Sequence, residues 1–491
     1  MLFKILKPIS FAFFPVIILT AGCMTGRTVS QNPSFSTEHR NISIRPAIQG
    51  SMPIAKRSED VAMVSFRDNG DNRTETPIIT TITDNSLQAM TLAEFESLAI
   101  DNNPTIKELA ATTQKAAGFR TQVGLRLNPT VGYQAIQLAD RGTDQHTAFI
   151  EQEIVRGGKL ELNRQVLNET LRAQLLELDT QKLRVVSDIR IKFYEALGAQ
   201  QRMELISAFG GVVKKGLELA QLRQDALEGS KVDVLQSKIQ KNEIDLAERQ
   251  SQIAFDAAWR ELAALAGKPD LSPARIDGLL PQHVESLDWN SLASAMVASS
   301  PEFGAAQVRI SRAQANLRRQ GVQSIPNVTA QLAAGVDNAT GSGMINLQVG
   351  APIPVFNQNQ GNIAAARAEY CRAVMESQRI EYGIKARLAA VSKEYDSALA
   401  AIRLYADEIL PAAQESLNLA EIAYKAGETS FVQVLVARRT YFDSNLQYVS
   451  AQTQLAQAQA KVDGNVLTGA LEPVKDQSGD DSLRGLTFSQ Q

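Results

Sequence analysis

The sequence is poor in the residues that catalysis and metal binding rely on. Of 491 residues, two are cysteines and three are histidines. His39, His146 and His283 lie far apart, so no metal-ligand spacing is visible and no metal or other cofactor is expected. No nucleophile–base spacing stands out, so an enzyme is not expected. Cysteine cannot supply a disulfide framework either, because the only pair is Cys23, at the end of an N-terminal leader, and Cys371. An excess of one charge is missing too. Lys plus Arg total 50 against 53 Asp plus Glu, which leaves no basic field for nucleic acid. Aromatics make up 6% of the chain. The long helical runs lack a stretch of about 18 apolar residues, so they are expected to sit in water rather than lipid.

What is present is helix-forming sequence with coiled-coil periodicity. In the run from Gly361 to Tyr424, apolar residues recur in four-then-three steps: Ile384, Leu388, Val391, Tyr395, Ala398, Ile402, Tyr405 and Ile409. That 3.5-residue period keeps one stripe facing a partner helix. Roughly 65 residues at about 1.5 Å each reach about 95–100 Å, so the chain is built to span a distance. An earlier run carries a similar stripe through Leu171, Leu175, Leu178, Val186, Ile189, Phe193 and Leu197.

The N-terminus reads as a signal peptide, residues 1–22. Lys4 and Lys7 precede a short apolar stretch from Phe11 to Leu19 that is interrupted by Pro15. Thr20-Ala21-Gly22-Cys23 resembles a lipobox with Leu19 one place early, which makes Cys23 the expected lipidation site; simple cleavage nearby is the alternative. One lipid anchors only marginally, so further membrane contact is expected. Residues 23–87 are rich in Ser, Thr, Asn and Arg and read as an extended linker.

The body then presents one unit twice. The first copy, residues 88–270, holds short helices ended by Asn102-Asn103-Pro104 and Asn128-Pro129. Two strands follow at about 130–138 and 146–155, then a long helix 157–227 and a return helix 232–266. The second copy, residues 287–470, has strands at about 328–336 and 344–352, a long helix 361–426 and a return helix 431–466. Pro104 and Pro301 are 197 positions apart, as are Pro129 and Pro326, and Gly229 and Gly427 are 198 apart. Gly210-Gly211 and Pro411 are expected to break the long helices at matching heights. Residues 471–491 are polar and expected to be disordered.

Fold class follows as mainly α with a small β part. Strands of nine or ten residues cross a bilayer when tilted. Four cannot close a membrane barrel, since the smallest have about eight, and open strand edges are forbidden in lipid. Several copies must therefore share one barrel. A soluble coiled-coil lipoprotein scaffold without a channel is the alternative of another class.

The doubled architecture resembles the TolC-type outer-membrane efflux factors over residues 88–470. The likeness rests on the Asn-Asn-Pro and Ser-Ser-Pro helix ends, on Gly157-Gly158-Lys159, and on Tyr424-Lys425-Ala426-Gly427. It rests also on Pro352-Ile353-Pro354-Val355-Phe356-Asn357-Gln358-Asn359-Gln360-Gly361, which is most similar to the cobalt-zinc-cadmium branch; drug-type and type I secretion members remain alternatives. The resemblance implies a homotrimer in the outer membrane, with a 12-stranded β-barrel above a periplasmic α-barrel. It implies a passive conduit docked on a periplasmic adaptor and an inner-membrane pump of the resistance-nodulation-division type. It also implies a gate at the periplasmic turns, Gly229 and Gly427, where Asp233 pairs with Tyr424. The acidic rings of the family fall on Gln433 and Val436, and the family's tip arginine two residues after the second glycine is Thr429 here. The first turn reads about two residues short. Asp225 and Glu228 are the other acids near it.

Overall fold

The computed structural model describes residues 89–138, 142–227, 229–282 and 285–478. The signal peptide, Cys23, the linker to residue 87 and Glu228 lie outside the described residues.

A short strand, β1 (Met90–Thr91), leads into α1 (Leu92–Asn102). The capping box of Thr91 and Glu94 starts the helix: the Thr91 amide donates to Glu94 Oε2 at 2.8 Å, and the Glu94 amide to Thr91 Oγ1 at 3.4 Å. Asn103 ends α1 and caps α2 (Pro104–Gln122); its buried side chain accepts the Thr105 amide at 3.0 Å and donates to the Leu265 carbonyl at 2.9 Å. Pro104 is tolerated because the first turn has no use for its missing N–H. Then come β2 (Thr130–Ile136), β3 (Gln145–Ile154), α3 (Lys159–Asp225) and α4 (Lys231–Leu265). β4 (Ile276–Asp277) lies in the link, and the second repeat follows with α5 (Trp289–Ser299), α6 (Pro301–Gly321), β5 (Val328–Asp337) and β6 (Ser342–Gly350). It ends with α7 (Gln360–Leu404), a π-helical turn Tyr405–Ile409, α8 (Leu410–Lys425) and α9 (Phe431–Asp463). β4 pairs in parallel with β1, tying the start of the body to the link between repeats.

The other four strands form one antiparallel sheet in the order β2-β3-β5-β6. Its registers place Val131, Ile150, Leu332 and Leu347 in one cross-strand row. Tyr133, Ala148, Ala334 and Ile345 form the next row on that face. The row between them on the opposite face is Gly132, Phe149, Ala333 and Asn346, and its neighbour is Thr130, Glu151, Gln331 and Gln348. The apolar face is bare: Val131, Tyr133, Leu332, Ile345 and Leu347 are all exposed. A water-soluble sheet would bury that face, so it is built for an apolar medium. Among the described residues, β2 and β6 each keep one edge unpaired.

α3 is 67 residues of uninterrupted helix, about 100 Å long. The expected break at Gly210-Gly211 is absent. Glycine weakens a helix without removing any hydrogen bond, and neighbouring packing holds it; the Cβ position of Gly210 lies 3.4 Å from Ile244 of α4. At Pro411 the expectation takes a softer form. Proline lacks its amide and crowds the carbonyl four residues back, and the chain answers with the π turn just before it rather than a stop. Ile384, Leu388, Val391, Tyr395, Ala398 and Ile402 are buried along α7, whereas Tyr405 and Ile409 leave the stripe as the π turn shifts its phase. In α3 the buried residue is Val185 rather than Val186, and Leu175 is exposed.

Two cores form where short helices clasp long ones. In the first repeat Phe95 meets Trp259 edge-on at 5.6 Å and Phe193 at 6.2 Å. In the second, Trp289 meets Tyr395 edge-on at 5.4 Å, and the Tyr395 hydroxyl donates to the Glu285 carbonyl at 2.9 Å. Of the C-terminal residues 471–491, expected to be disordered, the structure describes those up to Ser478; most are exposed and Ser478 is buried. Asp188 of α3 accepts the Gly469 and Ala470 amides at 2.9 and 2.7 Å, and Lys115 pairs with Asp476 at 2.8 Å. Burial pushes the Asp188 carboxyl above its usual range. Among the described residues no helix is long and apolar enough to cross a membrane.

Candidate functional site

The turns that join α3 to α4 and α8 to α9 are built alike. Ala226 and Ala426 are the C-caps, and Ser230 and Ser430 the N-caps. Between them Leu227 has φ +64° and Gly427 φ +76°. The two turns are therefore 200 positions apart, not 198, and the first is not short. Leu227 is the counterpart of Gly427, and Asp233 that of Gln433. Gly229 has another task. Its amide donates to the Arg223 carbonyl at 2.9 Å, and a Cβ there would lie 3.0 Å from Arg223 Cβ. Only glycine lets the turn fold back this tightly over the end of α3.

The expected Asp233–Tyr424 pair is not made within the chain. Asp233 completes the capping box of α4, accepting the Ser230 amide at 3.3 Å. Tyr424 instead receives the Arg223 guanidinium, which donates to its hydroxyl and lies over its ring, Cζ to centroid 5.3 Å. Phe431 flanks the same ring at 5.6 Å. Arg223 carries no sequence signal beyond a basic residue in the last turn of a helix, where the dipole favours it. Gln433 and Val436 are both exposed, and they line different grooves. Gln433 and Thr429 border a groove of about 490 Å³ between α8 and α9. Val436, Leu435, Ile239 and Arg439 border one of about 200 Å³ between α4 and α9. Asp225 is exposed at the end of α3. Arg438 and Glu421 join α9 to α8 at 2.7 Å, and Arg439 and Glu243 join α9 to α4 at 3.5 Å.

The other motif residues lie where strands hand over to helices. Gly157 and Gly158 both have positive φ, which turns the chain from β3 into α3. Lys159 is buried there and donates to Asn327 Oδ1 at 3.0 Å, while Asn327 Nδ2 donates to Glu153 at 2.7 Å. Arg319 is buried beside it, its Nε on Asn163 at 2.5 Å and its Nη1 on Gln323 at 2.6 Å. Burial pulls Arg319 down to about 10, and burial, then the Arg319 charge, lowers Lys159. Asn359 repeats the left-handed start for α7 at φ +64°, donating to the Gln320 carbonyl at 2.8 Å. These residues fix how the sheet joins the rods. Among the described residues no three His, Cys, Asp or Glu side chains are grouped to hold a metal ion.

Comparison with known proteins gives the same architecture. Residues 292–464, within the second repeat, match the family described as Outer membrane efflux protein. The chain is 24% identical to the cobalt-zinc-cadmium resistance protein CzcC of Cupriavidus metallidurans, over 76% of this chain and 89% of that one. It is also 24% identical to the pyoverdine export outer membrane protein OpmQ of Pseudomonas putida, over 76% and 84%. Its fold is that of the outer membrane protein VceC of Vibrio cholerae, with TM-score 0.62 at 18% identity over 77% of this chain and 96% of that one. An exposed apolar sheet on long paired helices is the fold of this solved outer-membrane protein, and the second repeat of the chain matches the outer membrane efflux protein family.

Proposed function

We propose that three copies of this chain close a 12-stranded barrel in the outer membrane above an α-barrel of twelve helical strands in the periplasm. The conduit is passive. A periplasmic adaptor and an inner-membrane pump, of the resistance-nodulation-division type, supply cargo and energy. One observation carries the reading: a four-stranded sheet with a continuous exposed apolar face and both edges unpaired. Such edges are tolerated in lipid only when another copy pairs with them. Cys23 lipidation would add a second membrane attachment. Protein purified from outer membranes in detergent is expected to have the mass of a trimer and to conduct ions in planar bilayers. A monodisperse single subunit without conductance refutes the proposal.

For cargo we infer heavy-metal cations, supported by the similarity to CzcC and by the stretch from Phe356 to Gly361. Deleting the gene is then expected to sensitise cells to cobalt, zinc or cadmium. The similarity to OpmQ supports a second reading, export of a siderophore-like organic molecule. Unchanged metal tolerance with loss of such export would select it.

A further inference from the structure

We propose that the link after β6 is an apolar plug between copies of this chain, with Ile353, Val355 and Phe356 seated against the α2–β2 link of the next copy. This rests on reading the free strand edges as joined between copies in one barrel. An equivalent seam is visible inside one chain. β3 pairs with β5 so that Ile154 lies opposite Val328, which sets the link after β3 beside the link before β5. The chain offers the same two parts to a neighbour: β6 leads into α7, and α2 leads into β2. Joining β6 antiparallel to the next copy's β2 therefore sets residues 351–359 beside residues 123–129 of that copy.

The two seams differ in chemistry. The one inside the chain is polar. Asn327 accepts Lys159 Nζ at 3.0 Å and the Arg156 amide at 3.3 Å, and it donates to Glu153 at 2.7 Å. At the other seam Thr130 follows Pro129 as Asn327 follows Pro326, and Gln360 follows left-handed Asn359 as Lys159 follows left-handed Gly158. No charged residue lies between Asp337 and Arg367. The second link has length and apolar surface instead. Nine residues, 351–359, join β6 to α7, against four, 155–158, between β3 and α3. Within the chain Ile353 is 82%, Val355 63% and Phe356 92% exposed, and Leu125, just past α2, is 50% exposed. Pro352 and Pro354 stiffen the link. The Val355 amide donates to the Ile353 carbonyl at 2.8 Å, and the Asn359 amide to Asn357 Oδ1 at 3.0 Å. The apolar side chains are thus presented outward with little ordering left to lose on contact. Leu125 and Leu127 of the next copy cover them.

Full-length protein purified from outer membranes in detergent provides the test. Phe356→Ser is expected to lower the temperature at which the trimer comes apart on gels by about 5–10 °C, with helix content by circular dichroism unchanged. Phe356→Leu keeps an apolar side chain and is expected to fall between. Leu125→Cys combined with Phe356→Cys, in a Cys371→Ser background, is expected to give disulfides between chains on oxidation with copper phenanthroline, which neither single replacement gives. A trimer that conducts and melts as wild type with Phe356→Ser, and forms no such disulfide, overturns the plug and leaves the conduit standing. Quenching by brominated lipid of a fluorophore attached at Phe356→Cys assigns the link to the membrane and also overturns the plug. Wild-type protein that runs as a single subunit overturns the plug and the shared barrel together.

Discussion

The two repeats perform the same task with different local chemistry, and the clearest difference lies midway along their long helices. The first crosses Gly210-Gly211 as regular helix; the second meets Pro411 through a π turn. Glycine makes a break affordable, but every carbonyl still has its amide, and the packed helix does not take the option. Proline removes an amide outright, so the backbone has to re-register. The lesson is that a missing donor changes the hydrogen-bond register of a long helix, whereas a missing side chain leaves the register intact.

The contrast can be broken most severely in the cores. Trp259→Ala in the first repeat is expected to cost about 3–5 kcal/mol, whereas Tyr395→Phe in the second keeps its ring and is expected to cost about 1 kcal/mol. Urea denaturation followed by circular dichroism would measure both. Next, Gly210→Pro moves the second repeat's defect into α3. It should cost about 3 kcal/mol and introduce a kink visible as changed spin-label distances between the ends of α3. At the turns the effect is smaller. Leu227→Gly is expected to relieve, and Gly427→Ala to impose, about 1 kcal/mol of left-handed strain, shifting the denaturation midpoint in opposite directions.

The smallest effect is a pH trend at Asp188, the first repeat's clamp on the C-terminal segment. Its folded carboxyl takes up a proton more readily than an unfolded one. Its contribution is therefore present below the ordinary Asp value of about 3.9 and is lost as pH rises through the raised value. Melting temperature should fall slightly over that window, and Asp188→Asn should flatten the fall.

Much of the fold was legible because period and spacing report burial directly. The alternation of Ile345, Leu347 and Val349 marks a strand with one apolar face, and the steps from Ile384 to Ile402 mark a packed stripe. What was not legible depended on single backbone angles or distant partners. Leucine ordinarily avoids positive φ, so nothing in Leu227 announces the true centre of the first turn, and Gly229 drew attention to itself instead. The contact of Asp476 is with Lys115, 361 positions earlier, which no local pattern announces. At the tip, Asp233 and Tyr424 stood out through resemblance. Arg223 did not, because its pairing is a matter of helix ends meeting in space.

The unpaired margins of β2 and β6 also set an order of events. The aromatic clusters of both repeats are complete within one chain, so the rods can consolidate as soon as a copy reaches water. The sheet cannot: alone, it carries two adhesive borders and a greasy flank, the ingredients of runaway strand-to-strand association. A lone subunit is thus a finished stem with an unfinished crown. How long it survives depends on how quickly it meets its siblings.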